Sequence, residues 1–148
     1  MNKLELLKIR RQEILKAGSE IRKKIAELVD PESFVETDSY SFSESEFYDG
    51  TSCGEGVVTG SATINDNAVF IVAQNAQVLS GGVTDANCKK IVKCQQKALR
   101  AGAPVIYLLD TKGVAVGESV NVLEGIAEVL AMANELIGSC VQIAVSTG

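Results

Sequence analysis

Residues 56–64 and 68–74 are two β-branched, apolar runs separated by Asn65-Asp66-Asn67. Runs of this length, bounded by a turn-forming cluster, read as a β-hairpin. A helix pattern follows at about 86–101, with Asp85 or Asn87 as the expected cap and Gly102 and Pro104 at its end. Val105–Leu109 is then a short apolar run of the kind found in strands covered on both faces. A second helix pattern carries Leu123, Ile126, Ala127, Leu130, Ala133 and Ile137 on one stripe. Ser119 is its expected cap, Gly138 closes it, and a further buried strand is expected at 141–146. A hairpin followed by strand–helix–strand units predicts an α/β fold with a parallel component.

Upstream, Leu4, Leu7, Ile14, Ile21, Ile25 and Leu28 recur at helical spacings between Lys and Arg, and Asp30-Pro31 stops the pattern. One helix over 3–28 would be ~39 Å long, long enough to cross the body or reach another subunit. Residues 33–51 are rich in Ser, Glu and Asp and read as an irregular wrap pinned by Phe34, Tyr40, Phe42, Phe47 and Tyr48. The expected division is a helix over 1–30, an acidic connection over 31–53 and an α/β core over 54–148.

Composition narrows the function. The chain is 46% hydrophobic but only 5% aromatic, with no Trp, so the core is aliphatic. No apolar run approaches the ~18 residues of a membrane span, and the N-terminus is a charged helix pattern, so a soluble cytoplasmic protein is expected. Residues 1–28 carry eight basic and four acidic side chains, whereas 30–49 carry seven acidic and no basic ones. An acidic total of −5 without a basic surface argues against nucleic acid. There is no His, which removes Ser-His-Asp and Cys-His catalysis and the usual His-containing metal sites from this chain acting alone. Cys53, Cys88, Cys94 and Cys140 lack metal-ligand spacing and read as inert thiols.

Loops at the carboxyl ends of parallel strands are where such folds place ligands. Two qualify: Ser80-Gly81-Gly82, and Asp110-Thr111-Lys112-Gly113 at the head of the loop 110–118. Either can present backbone N–H groups to a phosphate or a developing oxyanion, or the glycines can simply permit tight turns. Lys89, Lys93, Lys97 and Arg100 form a basic stripe that reads first as a solvated helix face. Glu118 and Glu124 are a weak candidate for a carboxylate pair.

Several segments together resemble one family. Gly54-Glu55-Gly56-Val57-Val58-Thr59-Gly60 with the run 69–74, the upstream stretch 24–36 (KIAELVDPESFVE), and 98–110 (ALRAGAPVIYLLD) follow in order. They resemble the N-terminal part of the carboxyltransferase domain of biotin-dependent acyl-CoA carboxylases and decarboxylases, over about residues 20–148. The resemblance implies a partial crotonase-like (ClpP/crotonase) spiral of ββα units preceded by the N-terminal helix. It implies an acyl-CoA thioester as substrate and biotin on a partner carrier protein. Carboxybiotin would release CO2, and the acyl-CoA enolate, held by backbone amides, would capture it; decarboxylases reverse this. By the same resemblance Lys112 and Gly113 would supply the oxyanion amides, and Ser80, Gly81, Gly82 and Thr111 would line the substrate site.

The chain departs from the family at three places. The usual D-S-G-G-A-R loop stands as Asp110-Thr111-Lys112-Gly113-Val114-Ala115, and the F-G-G-S-x-G loop as Leu79-Ser80-Gly81-Gly82-Val83-Thr84. The family also continues beyond Ser146-Thr147-Gly148 into a second homologous half. The expectation is therefore a homo-oligomer or a complementing carboxyltransferase subunit, with the N-terminal helix in the contact. Two other functions stay open: a non-catalytic assembly or regulatory module with a degenerate site, and another crotonase-like reaction such as thioester hydrolysis.

Overall fold

The computed structural model describes residues 2–41, 56–114 and 120–148. The expectations for Phe42, Phe47, Tyr48, Cys53, Gly54, Glu55, Ala115, Glu118 and the Ser119 cap lie outside these residues. The elements are helices α1 (Lys3–Ala17) and α2 (Ser19–Leu28), strands β1 (Val35–Thr37), β2 (Val57–Ile64) and β3 (Asn67–Gln74), helix α3 (Asp85–Ala101), strand β4 (Val105–Leu109), helix α4 (Val120–Leu136) and strand β5 (Gln142–Ser146).

The strands form one sheet in the order β1-β2-β3-β4-β5. The β2–β3 hairpin pairs Val57 with Gln74 through Ile64 with Asn67, and β1 adds antiparallel to β2. β3, β4 and β5 run parallel, with α3 and α4 as the crossovers. Because side chains alternate across a strand, the sheet feeds two cores. On one face Ile21 and Ile25 of α2 cover Val58, Ala62, Val69, Ile71, Ala73, Ile106 and Leu108. On the other, Ile91, Cys94 and Ala98 of α3, with Leu136 of α4, cover Val57, Val72 and Val105. Each fully buried aliphatic side chain contributes roughly 1.5–3 kcal/mol.

The predicted helix over 3–28 is broken at Gly18. The Arg22 side chain occupies the break: Nη1–H donates to Ile14 O at 3.1 Å, while Nε and Nη2 grip the Glu36 carboxylate at 2.9 and 2.7 Å. A Cβ on residue 18 would lie 2.0 Å from Arg22 Nη1. Asn75 Nδ2 donates to Ala17 O at 3.0 Å, so two carbonyls at the end of α1 find side-chain donors. Of the predicted apolar positions, Ile14, Ile21 and Ile25 are buried, but Leu4, Leu7 and Leu28 are exposed.

Further expectations are corrected. Thr84, not Asp85 or Asn87, caps α3, its Oγ1 accepting from Asn87 N–H at 3.1 Å. α4 buries Val122, Gly125, Met132 and Leu136, so Leu123, Leu130 and Ile137 of the predicted stripe face outward. Both candidate faces are apolar, and periodicity alone does not choose between them. β5 is an exposed edge strand rather than a buried one, with Ile143 and Val145 uncovered. Residues 35–37, expected within the irregular wrap, form β1; Phe34 does pin this segment to the core, and Tyr40 does not. None of the described helices is long and apolar enough to cross a membrane.

Candidate functional site

β3 and β4 run parallel, with Ala73 opposite Leu108, so their carboxyl ends lie side by side. That register brings together the two loops singled out from the sequence. Val83 N–H donates to Gly113 O at 2.9 Å within an isolated parallel bridge of Val83 and Val114, and Lys112 N–H donates to Ser80 O at 3.3 Å. Thr111 Oγ1–H donates to Gly81 O at 2.5 Å and accepts from Gly113 N–H at 3.1 Å. All six predicted site residues, Ser80, Gly81, Gly82, Thr111, Lys112 and Gly113, therefore belong to one zippered loop pair.

The first loop is conformationally costly. Leu79, Ser80 and Gly81 all have positive φ, at 48°, 54° and 69°. Non-glycine residues held there cost on the order of 1–3 kcal/mol each, and such strain concentrates at functional sites. Gly81 is required by contact as well, because a Cβ on it would stand 2.2 Å from Asp110 O.

The support beneath the loops was not read from the sequence. Asn87 Nδ2 donates to Gly82 O at 2.9 Å from the first turn of α3. Asn75 accepts from Gln77 N–H at 3.2 Å, and its own N–H reaches Gly56 O at 2.8 Å. Gln74 Oε1 accepts Asp110 N–H at 3.0 Å. Lys24 of α2 donates to Thr147 O at 3.2 Å and lies 3.9 Å from Asp110 Oδ2, tying α2 to the ends of β4 and β5. Polar residues at strand ends, as at Gln74-Asn75, are the signal that could have found this layer.

The other candidates fall to their bland readings. Lys89 pairs with Asp85 at 2.6 Å and Lys93 with Asp38 at 2.5 Å, so half of the basic stripe is in ion pairs. Cys88 and Cys94 are buried free thiols, Cys140 is half-buried, and burial pushes the Cys94 thiol up to about 11. No cluster of metal-ligating side chains occurs among the described residues.

Thr111, Lys112 and Gly113 are exposed, and a Cβ on Gly113, at φ +105°, would meet nothing within 4 Å. The Lys112 and Gly113 N–H groups are engaged by Ser80 O and Thr111 Oγ1, and if released they would suit a carbonyl oxygen that gains negative charge. Residues 15–148 match the family described as the carboxyl transferase domain. The chain belongs to that family.

Among its relatives is the propionyl-CoA carboxylase beta chain of Roseobacter denitrificans, 37% identical over 111 residues, covering 73% of this chain and 22% of the relative. The methylmalonyl-CoA decarboxylase subunit alpha of Veillonella parvula is 33% identical over 133 residues, covering 86% of this chain and 26% of the relative. The chain thus spans about a quarter of the length of these curated relatives. The fold is shared with transcarboxylase 12S, solved as a hexamer with methylmalonyl-coenzyme A bound. That match has a TM-score of 0.84 at 23% identity, covering 97% of this chain and 31% of that one. A Pseudomonas malonate decarboxylase hetero-tetramer matches with a TM-score of 0.74 at 22% identity, covering 84% of this chain and 49% of that one. The crotonase-like fold expected from the resemblance is the one the chain adopts.

Proposed function

We propose that this chain forms the acyl-CoA side of a carboxyltransferase or decarboxylase, holding a thioester oxygen on the loop 110–113. The observation that carries the reading is the joining of Ser80-Gly81-Gly82 to Thr111-Lys112-Gly113 at the carboxyl ends of β3 and β4. Lys112 and Gly113 are the amide donors, and Ser80, Gly81, Gly82 and Thr111 shape the acyl side. An amide aimed at a developing oxyanion is worth about 3–4 kcal/mol in the transition state. The propionyl-CoA and methylmalonyl-CoA relatives support a short acyl group as the first substrate to try.

Carboxybiotin, delivered on a carrier protein, supplies the CO2. The donor set of this loop fits a thioester oxygen rather than a second ring system, so the biotin side belongs to the remainder of the assembly. That assembly, a homo-oligomer or a complementing subunit, would cover surface that is apolar here: Leu4 and Leu7 of α1, Leu123, Leu130 and Ile137 of α4, and the β5 edge. Large exposed apolar area and unpaired strand edges ordinarily mark contacts.

One observation favours a scaffold instead: both proposed amides already have acceptors within the loop pair. Replacing Lys112 with Gly in the assembled enzyme separates the two. A change in turnover, with assembly intact, supports an active loop. Unchanged turnover supports an assembly module.

A further inference from the structure

Thr111 decides what the amide of Gly113 does in the absence of substrate. Gly113 N–H donates to Thr111 Oγ1 at 3.1 Å, so an oxygen of the chain itself sits on the donor that a thioester oxygen needs. The hydroxyl proton is committed elsewhere, to Gly81 O at 2.5 Å, which leaves an Oγ1 lone pair facing Gly113. Gly113 is held independently from its carbonyl side by Val83 N–H at 2.9 Å. Freeing its N–H therefore does not require the loop pair to separate. The space above is open, since a Cβ on Gly113 would meet nothing within 4 Å. Lys112 N–H, at 3.3 Å from Ser80 O, is the more weakly engaged of the two amides.

We propose that the Thr111 hydroxyl is an internal occupant of the oxyanion position, displaced when an acyl-CoA thioester binds, so that residue 111 sets the affinity of this loop for its substrate. The proposal rests on the oxyanion reading above and deepens it. One N–H serves one acceptor at full strength, so hydroxyl and ligand compete. A neutral carbonyl gains little by replacing a hydroxyl of similar acceptor strength. An enolate oxygen gains more, because hydrogen bonds to a charged acceptor are about twice as strong. Breaking the internal bond costs the same whichever oxygen replaces it, so Thr111 weakens binding of both species alike, and only the charged one recovers clearly more than that cost.

The test uses the assembled protein with Thr111→Val, which removes both hydroxyl bonds while the Val83–Gly113 and Lys112–Ser80 bonds still join the loops, and Thr111→Ser, which keeps the hydroxyl. Calorimetric titration with propionyl-CoA reads affinity, and hydrogen exchange of the peptide containing Gly113 reads the internal bond. The valine variant should exchange faster at Gly113 and bind roughly threefold to tenfold more tightly, the range commanded by one neutral hydrogen bond. The serine variant should stay within about twofold of the parent. Equal or weaker binding by the valine variant, or unchanged exchange, overturns the competition while leaving the oxyanion reading in place. No binding by any of the three overturns both.

Discussion

Asp30 joins the end of α2 to the hairpin turn. Its Oδ2 accepts from Thr63 Oγ1 at 2.6 Å and Asp66 N–H at 2.9 Å, and Oδ1 accepts from Asn65 N–H at 2.9 Å. Asn65 and Asp66 both have positive φ, so the carboxylate secures a turn that resists formation on its own. These bonds, led by that from Thr63, hold the Asp30 carboxyl below its ordinary value of 3.8. A carboxyl depressed in the folded state adds stability above its unfolded value, and the gain is lost as pH falls through the folded one. Asp30→Ala should therefore lower the melting temperature at neutral pH and flatten the loss of stability on acidification below about pH 4, as thermal melts over a pH series would show. At the second loop, Gly81→Ala forces a Cβ to within 2.2 Å of Asp110 O at a φ of +69°. Two named penalties, overpacking and left-handed strain, predict a loss of about 2–4 kcal/mol by denaturant unfolding. The positions of Gly81 and Gly113 were legible because ligand loops follow parallel strands. The capture of the Lys112 amide by Ser80 O was not, since it depends on the register between two loops about thirty residues apart, whereas the Gly113 amide is taken locally by Thr111 Oγ1.

At the scale of elements, the strands were the most readable part. β2, β3 and β4 lie where β-branched runs and turn residues put them, because a strand's two-residue period leaves few alternatives. The helices were harder to orient. α4 is apolar on both sides, and its buried face is chosen by a small residue: Gly125 sits against Cys88 of α3, where a Cβ would approach Cys88 Cβ to 2.8 Å. The same helix pair is tied to the sheet by a polar chain in which Gln95 donates to the Tyr107 hydroxyl, Tyr107 to Gln142, and Gln142 to Ala133 O. Burial raises the Tyr107 phenol, keeping it a neutral donor in that chain. Gly125→Ala gains roughly 1 kcal/mol of helix propensity but overpacks the crossing at a cost of about 1–3 kcal/mol. The second effect wins, so the variant should melt below the parent, and adding Cys88→Ala, which removes the Sγ at 3.2 Å but keeps the Cβ at 2.8 Å, should not rescue it. The break at Gly18 was hidden for a similar reason: the helical period continues through it, and only Arg22, Glu36 and Asn75 reveal it.

At the scale of the whole molecule, the sheet, with α2 on one face and α3 and α4 on the other, positions one loop pair and leaves apolar surface outside it. α1 has only Ile14 buried, and α4 and β5 turn Leu123, Leu130, Ile137, Ile143 and Val145 outward. Under the proposed function, these surfaces are where an assembly contact would form. The active unit would then be an assembled protein, to which this chain would contribute the loop pair. Calorimetric titration of propionyl-CoA into the assembled protein tests this most directly. We expect saturable binding that Gly81→Ala abolishes or weakens at least about tenfold, corresponding to about 1.4 kcal/mol. A folded, assembled protein that takes up no heat-detectable acyl-CoA, or that binds it equally well with Gly81 replaced, would contradict the placement of the thioester on this loop pair.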